Sequence, residues 1–106
     1  MSPFSTDTAN RLPENVRQDL GRLTQILARH GARRVILYGS FARTDFRATS
    51  DLDLCVEGLP DAEYFRAWAE ALMSATRPFS ILSLENVHGY LRERILSEGQ
   101  VLYGPN

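Results

Sequence analysis

The first third of the chain carries apolar residues at helical spacing. Four of them follow one another at steps of four, three and four: Val16, Leu20, Leu23 and Leu27. This spacing places them on one face of an α-helix. Pro13 suits the first helical position, and Gly31 suits the end of a helix. The pattern predicts a helix from about Pro13 to His30 that packs on a core through one apolar stripe.

The centre of the chain has the shorter apolar runs of β-strands. One run, residues 35–38, stops at Gly39 and Ser40, and a second run begins nine residues later and includes Leu52 and Leu54. Such runs, bounded by a glycine-containing turn, predict two strands joined by a tight turn and a short helix or loop.

The rest of the chain repeats both patterns. After a loop at residues 58–61, apolar residues recur at helical spacing to about Ala75: Tyr64, Phe65, Trp68, Leu72 and Met73. A third strand is expected at residues 79–84, then a helix through Leu91, Ile95 and Leu96 that Gly99 closes, and a short strand at residues 101–103. This order predicts an α/β (α+β) fold, a small mixed sheet with helices mainly on one face.

Composition and charge narrow the class of protein. The chain has 106 residues, and its hydrophobic content of 43% and charged content of 24% are ordinary for one globular domain. We assign residues 1–12 to a flexible N-terminal tail and residues 13–106 to the domain. A net charge of −1 gives no support to bulk nucleic-acid binding, and a single Cys fits a reducing cytoplasm. No apolar run reaches membrane-spanning length, so we expect a soluble, cytoplasmic protein.

Two neighbouring carboxylates carry the candidate chemistry. Asp51 and Asp53 are two residues apart on a predicted strand, so their side chains share one face while Leu52 and Leu54 face the core. A divalent cation best relieves the repulsion between them, and Mg²⁺ prefers carboxylate oxygens together with water and substrate phosphate. The pair therefore predicts a site for a metal ion and a phosphate.

The turn before the carboxylates suits the phosphate. Gly39 lets the backbone approach a ligand closely, and Ser40, at a predicted helix start, offers a hydroxyl and an N–H to phosphate oxygens.

This combination resembles the signature of the DNA polymerase beta-like nucleotidyltransferase superfamily. Gly39-Ser40, nine residues and then Ser50-Asp51-Leu52-Asp53 have its order and spacing, and the small size resembles its minimal nucleotidyltransferase (MNT) branch. Arg43 stands where the family commonly has Arg, whereas Thr44 stands where it often has Gly. The resemblance covers about residues 13–103 and implies the nucleotidyltransferase fold.

The resemblance also implies a reaction and its site. Asp51 and Asp53 would bind Mg²⁺ and act in catalysis, and AMP would pass from ATP to a hydroxyl group. The implied nucleotide-binding residues are Gly39, Ser40, Arg43 and Ser50. Arg47 is a weaker phosphate-binding candidate, since a surface ion pair explains it better.

The MNT resemblance implies a protein partner as well. Small members of that family resemble antitoxins that pair with HEPN-domain ribonuclease toxins, and some of them silence the toxin by adenylylating a tyrosine. The chain is then expected in a hetero-oligomer with such a toxin, without direct contact to nucleic acid. The alternative is a module of weak or lost catalysis that neutralises the toxin by binding alone. Modification of a small molecule is a third and weaker hypothesis.

One position departs from the family pattern. The strand after the carboxylate pair carries a third acid in the family, and here that position falls at about Ser80. A serine hydroxyl is a weak, neutral metal ligand and a poor base. Glu85 and Glu57 are the candidate substitutes, although both are expected in solvent at strand ends.

Other conspicuous residues are predicted to be structural. Trp68 and Tyr38 are expected in the core, Cys55 as a small buried filler, and His30 and His88 near helix ends.

Overall fold

A computed structural model describes residues 12–105. In chain order, its elements are α1 (Glu14–Arg29), β1 (Arg34–Tyr38), α2 (Ser40–Arg43), β2 (Leu52–Glu57), α3 (Asp61–Ser74), β3 (Phe79–Ser83), a 3-10 helix (Leu84–Asn86), α4 (Gly89–Glu98) and β4 (Gln100–Tyr103). Apart from the 3-10 helix, which begins at Leu84 where the strand was expected to continue, this is the order that the hydrophobic pattern predicts. Residues 1–11 of the proposed tail lie outside the described residues, and Leu12 is buried in the core. Within residues 12–105, no helix is long and apolar enough to cross a membrane.

The four strands form one mixed sheet in the order β3-β2-β1-β4. β1 is antiparallel to both of its neighbours, β2 and β4. β2 and β3 are parallel and are joined through α3, because parallel neighbours need a crossover connection. β2 therefore has a hydrogen-bonded strand on each side.

One face of the sheet packs under α1 and α3. Strand side chains alternate between faces, and the residues on this face are Val35, Leu37, Leu52, Leu54 and Val56. The stripe of α1 meets them, with each member at most 1% exposed: Val16, Leu20, Leu23 and Leu27. The predicted first helix and its buried stripe are confirmed.

The opposite face carries α4 and the 3-10 helix. A smaller apolar cluster forms there from Ile36, Cys55, Leu84, Val87 and Ile95. Since α1 and α3 both lie on the other side, the prediction of helices mainly on one face is confirmed. Asp53 has the strand parity of Cys55, so its side chain belongs to the α4 face.

The apolar residues of α3 are only partly buried. Tyr64 and Trp68 pack against the core, but Phe65, Leu72 and Met73 are 71%, 56% and 90% exposed. The fully buried positions of the helix are instead two alanines, Ala67 and Ala71. Small residues let α3 lie close to the layer beneath, and the larger side chains beside them are then left outside. In α4, Ile95 is buried, while Leu91 and Leu96 are 45% and 48% exposed.

A buried carboxylate ties α1 to the segment after α3. Asp19 is fully buried, and its Oδ2 accepts hydrogen bonds from the N–H and the hydroxyl of Thr76, at 3.0 and 2.8 Å. Its Oδ1 accepts one of 2.5 Å from Arg22. Buried charges are tolerated where they are paired in this way. The link fixes the segment that leads into β3.

Candidate functional site

Three neighbouring strands bring Tyr38, Asp53 and Ser80 side by side. Asp53 on β2 is paired in the sheet register with Tyr38 on β1 and with Ser80 on β3. The Ser80 hydroxyl donates a hydrogen bond of 3.2 Å to Oδ1 of Asp53. Ser80 therefore lies where a third acid would lie, next to one member of the carboxylate pair.

Asp53 is partly buried, and this burial raises the pKa of its carboxyl group. The hydrogen bond from Ser80 lowers that pKa, the negative charge of Asp51 raises it, and the positive charge of Arg43 lowers it. Charges influence a pKa in this way only at short range. The charges of Asp51 and Arg43 thus both act on Asp53, and a bound cation would favour the ionised form of the Asp53 carboxylate.

Gly39 packs directly against the Asp53 carboxylate. Its φ of 79° lies in the region that favours glycine. A Cβ at this position would overlap Oδ2 of Asp53 and lie 3.0 Å from its Cγ. Only a residue without a side chain fits here, so a ligand that binds Asp53 also meets the turn at Gly39 and Ser40.

Asp51 is exposed and ends the loop that joins α2 to β2. Ser50 closes this loop, because its Oγ accepts a hydrogen bond of 2.8 Å from the Arg47 N–H and its own N–H donates one of 3.0 Å to the Arg47 carbonyl. The Ser50 hydroxyl hydrogen remains available as a donor. The Arg47 residue is exposed.

Arg77 is a part of the site that sequence analysis missed. Its Nη1 donates to the carbonyl oxygens of Ser50 and Ala48, over 3.3 and 3.5 Å. Its guanidinium lies 5.2 Å from the centre of the Phe41 ring, within cation–π range. Arg77 thus supports the loop immediately before Asp51. No local sequence pattern indicates this role of Arg77, because its hydrogen-bond partners are 27 and 29 residues away.

The helix α2 is followed by Thr44, which has a left-handed conformation with φ 64° and ψ 24°. It is the one non-glycine residue with a positive φ among residues 12–105. This region is unfavourable for a β-branched residue, which gives a physical reason for a glycine at this position. Its hydroxyl donates a hydrogen bond of 2.5 Å to the Arg43 carbonyl.

Arg43 borders a small cavity beside the turn. Its Nε lies 3.3 Å from Oδ2 of Asp45, and its Nη1 lies 3.7 Å from Oε2 of Glu98. The cavity has a volume of about 130 Å³ and is also lined by Tyr38 and Gly39. The Arg43 guanidinium therefore borders the same cavity as Gly39, although neither Asp51 nor Asp53 lines this cavity.

Neither candidate substitute for the third acid lies near Asp53. Glu57 is four residues further along β2, about 13 Å away at about 3.3 Å per residue, and it pairs with Arg34 at 3.0 Å. Glu85 accepts a hydrogen bond of 2.8 Å from the Gly58 N–H, at the same far end of the strand. Across residues 12–105, no three His, Cys, Asp or Glu side chains are grouped to hold a metal ion.

Other conspicuous residues have structural surroundings. Cys55 is buried, and burial raises the pKa of its thiol to about 11, so it is an inert filler. Trp68 packs partly against the core and lines a cavity of about 420 Å³ that includes neither carboxylate and no residue of the turn. His88 is exposed at the start of α4, without a side-chain capping hydrogen bond.

Comparison with known proteins identifies the family. The family described as "Polymerase beta, Nucleotidyltransferase" matches residues 22–106. The chain belongs to this family. The matched segment contains the Gly39 turn, both carboxylates and Ser80, so the site described above lies entirely within the family domain.

Two similar proteins agree with this assignment. The chain is 30% identical over 87 residues to "Putative protein adenylyltransferase MJ0435" of Methanocaldococcus jannaschii, which covers 79% of this chain and 94% of that protein. It is 31% identical to a solved structure described as "Structure of putative minimal nucleotidyltransferase", with a TM-score of 0.68 over 81% of this chain and 91% of the other.

A more distant solved structure has the same fold. It is a complex of a tri-AMPylated Shewanella oneidensis HEPN toxin with an MNT antitoxin, and the match has a TM-score of 0.64 at 14% identity over 84% of this chain and 72% of the other. At this identity the likeness shows the fold alone. The nucleotidyltransferase fold that the sequence motif implies is confirmed.

Proposed function

We propose that the protein transfers AMP from ATP to a hydroxyl group of a partner protein. The observation that carries this proposal is the contact between the Gly39 turn and the Asp53 carboxylate, with Asp51 at the end of the adjoining loop. A turn suited to phosphate touches one carboxylate of a pair suited to a metal ion, as a nucleoside triphosphate and its cation require. Family membership and similarity to a protein named as an adenylyltransferase support the same reaction.

Asp51 and Asp53 fit a magnesium ion. Mg²⁺ is usually bound by one or two carboxylates and keeps water and substrate phosphate as its other ligands. When bound, it would supply charge compensation for the phosphates. Ser80 adds no negative ligand, and its hydrogen bond to Oδ1 orients the Asp53 carboxylate instead.

Four residues would hold the triphosphate: Gly39, Ser40, Arg43 and Ser50. Gly39 presents backbone without a side chain, the two serine hydroxyls can donate to phosphate oxygens, and the planar guanidinium of Arg43 suits a phosphate. The pairs that Arg43 makes with Asp45 and Glu98 are partly exposed to solvent, and such pairs are weak enough to be exchanged for phosphate.

In the reaction, the acceptor oxygen forms a bond to the α-phosphorus of ATP. The bond from that phosphorus to the oxygen that bridges to the β-phosphate breaks, pyrophosphate leaves with the electron pair, and the hydroxyl proton passes to water. Positioning and charge compensation supply most of the rate in such transfers. Ser80 provides no strong base, so we expect slow transfer.

We infer that the acceptor is a tyrosine of a HEPN ribonuclease toxin, for which this protein is the antitoxin. The fold is shared with the complex of an MNT antitoxin and a tri-AMPylated HEPN toxin. All elements within residues 12–105 belong to one sheet and the helices on it, so a partner would present and orient the hydroxyl. An added AMP would place negative charge where RNA phosphates approach the toxin.

Neutralisation by binding alone is the second candidate function. The observation that favours it is Ser80 beside Asp53, because a family site without its third acid has lost a metal ligand and its base. The protein interface would then silence the toxin with little or no transfer.

Co-expression with a HEPN toxin encoded next to the gene, followed by intact-mass measurement, tests both functions. A gain of AMP on the toxin that disappears in the double variant Asp51→Asn, Asp53→Asn supports the enzyme. Neutralisation that persists in this variant without added mass supports binding alone. Two proteins that neither interact nor affect each other's activity would contradict both functions.

A further inference from the structure

The helix α4 borders the proposed phosphate site. It packs through Ile95 on the sheet face to which Asp53 belongs. Three of its residues, Leu91, Arg94 and Glu98, line the 130 Å³ cavity next to Gly39 and Arg43. The cavity therefore extends from the Gly39 turn to α4 and brings a second arginine to the space that Arg43 borders.

A single carboxylate oxygen joins Arg94 to Arg43. Oε2 of Glu98 lies 3.1 Å from Nη2 of Arg94 and 3.7 Å from Nη1 of Arg43. The Arg94 guanidinium also lies 5.7 Å from the centre of the Tyr90 ring, within cation–π range. These contacts hold two guanidinium groups around one anionic oxygen, an arrangement that also suits a phosphate oxygen.

We propose that Arg94 is a second phosphate-binding arginine, which acts with Arg43 on the outer phosphates of the triphosphate. This inference rests on the proposed transfer of AMP from ATP. The outer phosphates carry most of the negative charge of ATP and leave as pyrophosphate, so two fixed guanidinium groups compensate charge both in the bound nucleotide and on the leaving group.

Glu98 forms ion pairs with both arginines. The side chains of Arg43, Glu98 and Arg94 are 37%, 38% and 41% exposed, and ion pairs at such exposure contribute little. A phosphate has more charge and more acceptor oxygens than a carboxylate, so it can replace Glu98 at small cost. Arg92 on the same helix differs, because it donates to the carbonyl oxygens of Leu84 and Val87 and is therefore structural.

The test compares the affinities of Arg94→Gln and Arg66→Gln for ATP and for AMP by titration calorimetry with Mg²⁺. Arg66 is a matched control, since it is an arginine of α3 with a 75% exposed side chain and its replacement changes the charge equally. We expect Arg94→Gln to bind ATP roughly tenfold more weakly than the control. AMP lacks the outer phosphates, so its affinity should be the same in both variants.

The outcomes separate this inference from the proposed function. If Arg94→Gln binds ATP as tightly as Arg66→Gln, or loses affinity for AMP to the same extent, the role of Arg94 is overturned. If the parent protein binds no ATP, or binds it unchanged after Asp51→Asn with Asp53→Asn, the proposed function fails and the inference fails with it. If Arg94→Gln unfolds at the same temperature as the parent protein, loss of the fold is excluded as the cause of weaker ATP binding.

Discussion

The hydroxyl of Ser80 donates a hydrogen bond of 3.2 Å to Oδ1 of Asp53, so a neutral side chain lies next to the partly buried carboxylate. The two residues are direct neighbours in the parallel register of β2 and β3. A carboxylate at position 80 would thus lie beside Asp53 with no change in the backbone. The serine leaves the shape of the site intact and removes one negative charge from it.

We predict that Ser80→Asp raises the rate of AMP transfer about tenfold or more, because a positioned carboxylate supplies the base that serine lacks. Without Mg²⁺, the same change should lower thermal stability, since a further negative charge repels Asp53, and Mg²⁺ should restore it. Transfer of label from ATP to the toxin measures the first effect, and thermal unfolding with and without Mg²⁺ measures the second.

Ser83→Asp, at the other end of β3, is the control. A Ser80→Asp protein that matches this control in both measurements would show that a third carboxylate is not what the site lacks.

Gly39→Ala should weaken ATP binding at least tenfold, whereas Gly89→Ala should leave it unchanged. Both glycines have a positive φ, 79° and 66°, so both variants should lose unfolding free energy. The loss should be on the order of 1–3 kcal/mol at Gly39, because its ψ of −157° lies in a region that is essentially restricted to glycine. A Cβ at Gly39 also displaces the Asp53 carboxylate, but nothing lies within 4 Å of a Cβ at Gly89. Urea unfolding and ATP titration separate the two effects. Equal ATP affinities in the two variants would mean that turn and carboxylate do not share a ligand.

The sequence predicts those parts of the fold that depend on local periodicity. The buried stripe of α1 and the alternation in β2 follow from side-chain geometry within one element, so Asp53 could be assigned to the face opposite Leu52 and Leu54 before any contact was known. The exposure of Phe65 and Met73 could not be assigned in this way. It depends on which face of α3 meets the rest of the protein, and any apolar residue at helical spacing satisfies the pattern equally well.

Contacts between distant segments were also beyond prediction. Asp19 lies within the apolar stripe of α1, which hints at burial, but its partner Thr76 is 57 residues away. Arg77 supports the Asp51 loop through backbone carbonyls, which any residue type provides. The parts of the candidate site whose chemistry depends on residue type could be predicted from the sequence. Contacts made by backbone atoms of a distant loop could not.

Thr44→Gly should stabilise the protein by about 0.5–1 kcal/mol. Relief of the left-handed strain gains about 1–2 kcal/mol, and the greater backbone entropy of unfolded glycine offsets about 0.5–1 kcal/mol of it. Urea unfolding measures the change. Thr44→Ala is the control, because it removes the hydroxyl but keeps the unfavourable φ, and it should give no gain. Equal stabilities of the two variants would show that the conformation at this position carries no strain.

His30 joins the end of α1 to two carboxylates of α3. Its Nδ1 lies 2.8 Å from Oε1 of Glu63, and its Nε2 lies 3.1 Å from Oε2 of Glu70. Hydrogen bonding to Glu63 and to Glu70 raises the pKa of His30 above its ordinary value of 6.5, and desolvation opposes this only in part. Because the folded pKa exceeds the unfolded one, the charged histidine stabilises the protein fully below the unfolded pKa. This contribution is lost as the pH rises through the folded pKa.

The free energy of unfolding should therefore fall between about pH 6 and about pH 9, and the fall should be smaller in His30→Gln. His88→Gln is the matched control, since His88 is exposed and makes no side-chain capping hydrogen bond, and it should keep the slope of the parent. Urea unfolding at both pH values gives the comparison. The assignment is wrong if the two variants have the same slope.

Arg77→Met should reduce the affinity for ATP and Mg²⁺ severalfold while it costs at most about 1 kcal/mol of stability. The methionine keeps an apolar side chain next to Phe41, and the hydrogen bonds that it removes are long, at 3.3 and 3.5 Å to Ser50 and Ala48. The Nε of Arg77 is buried without a partner, which further limits the loss of stability. The loop before Asp51 would nevertheless lose its anchor, so this carboxylate would have to be ordered on ligand binding.

Calorimetric titration measures the affinity and urea unfolding measures the stability, with Arg66→Met as control. Unchanged affinity in Arg77→Met would show that the loop holds Asp51 in place by itself, through Ser50 alone.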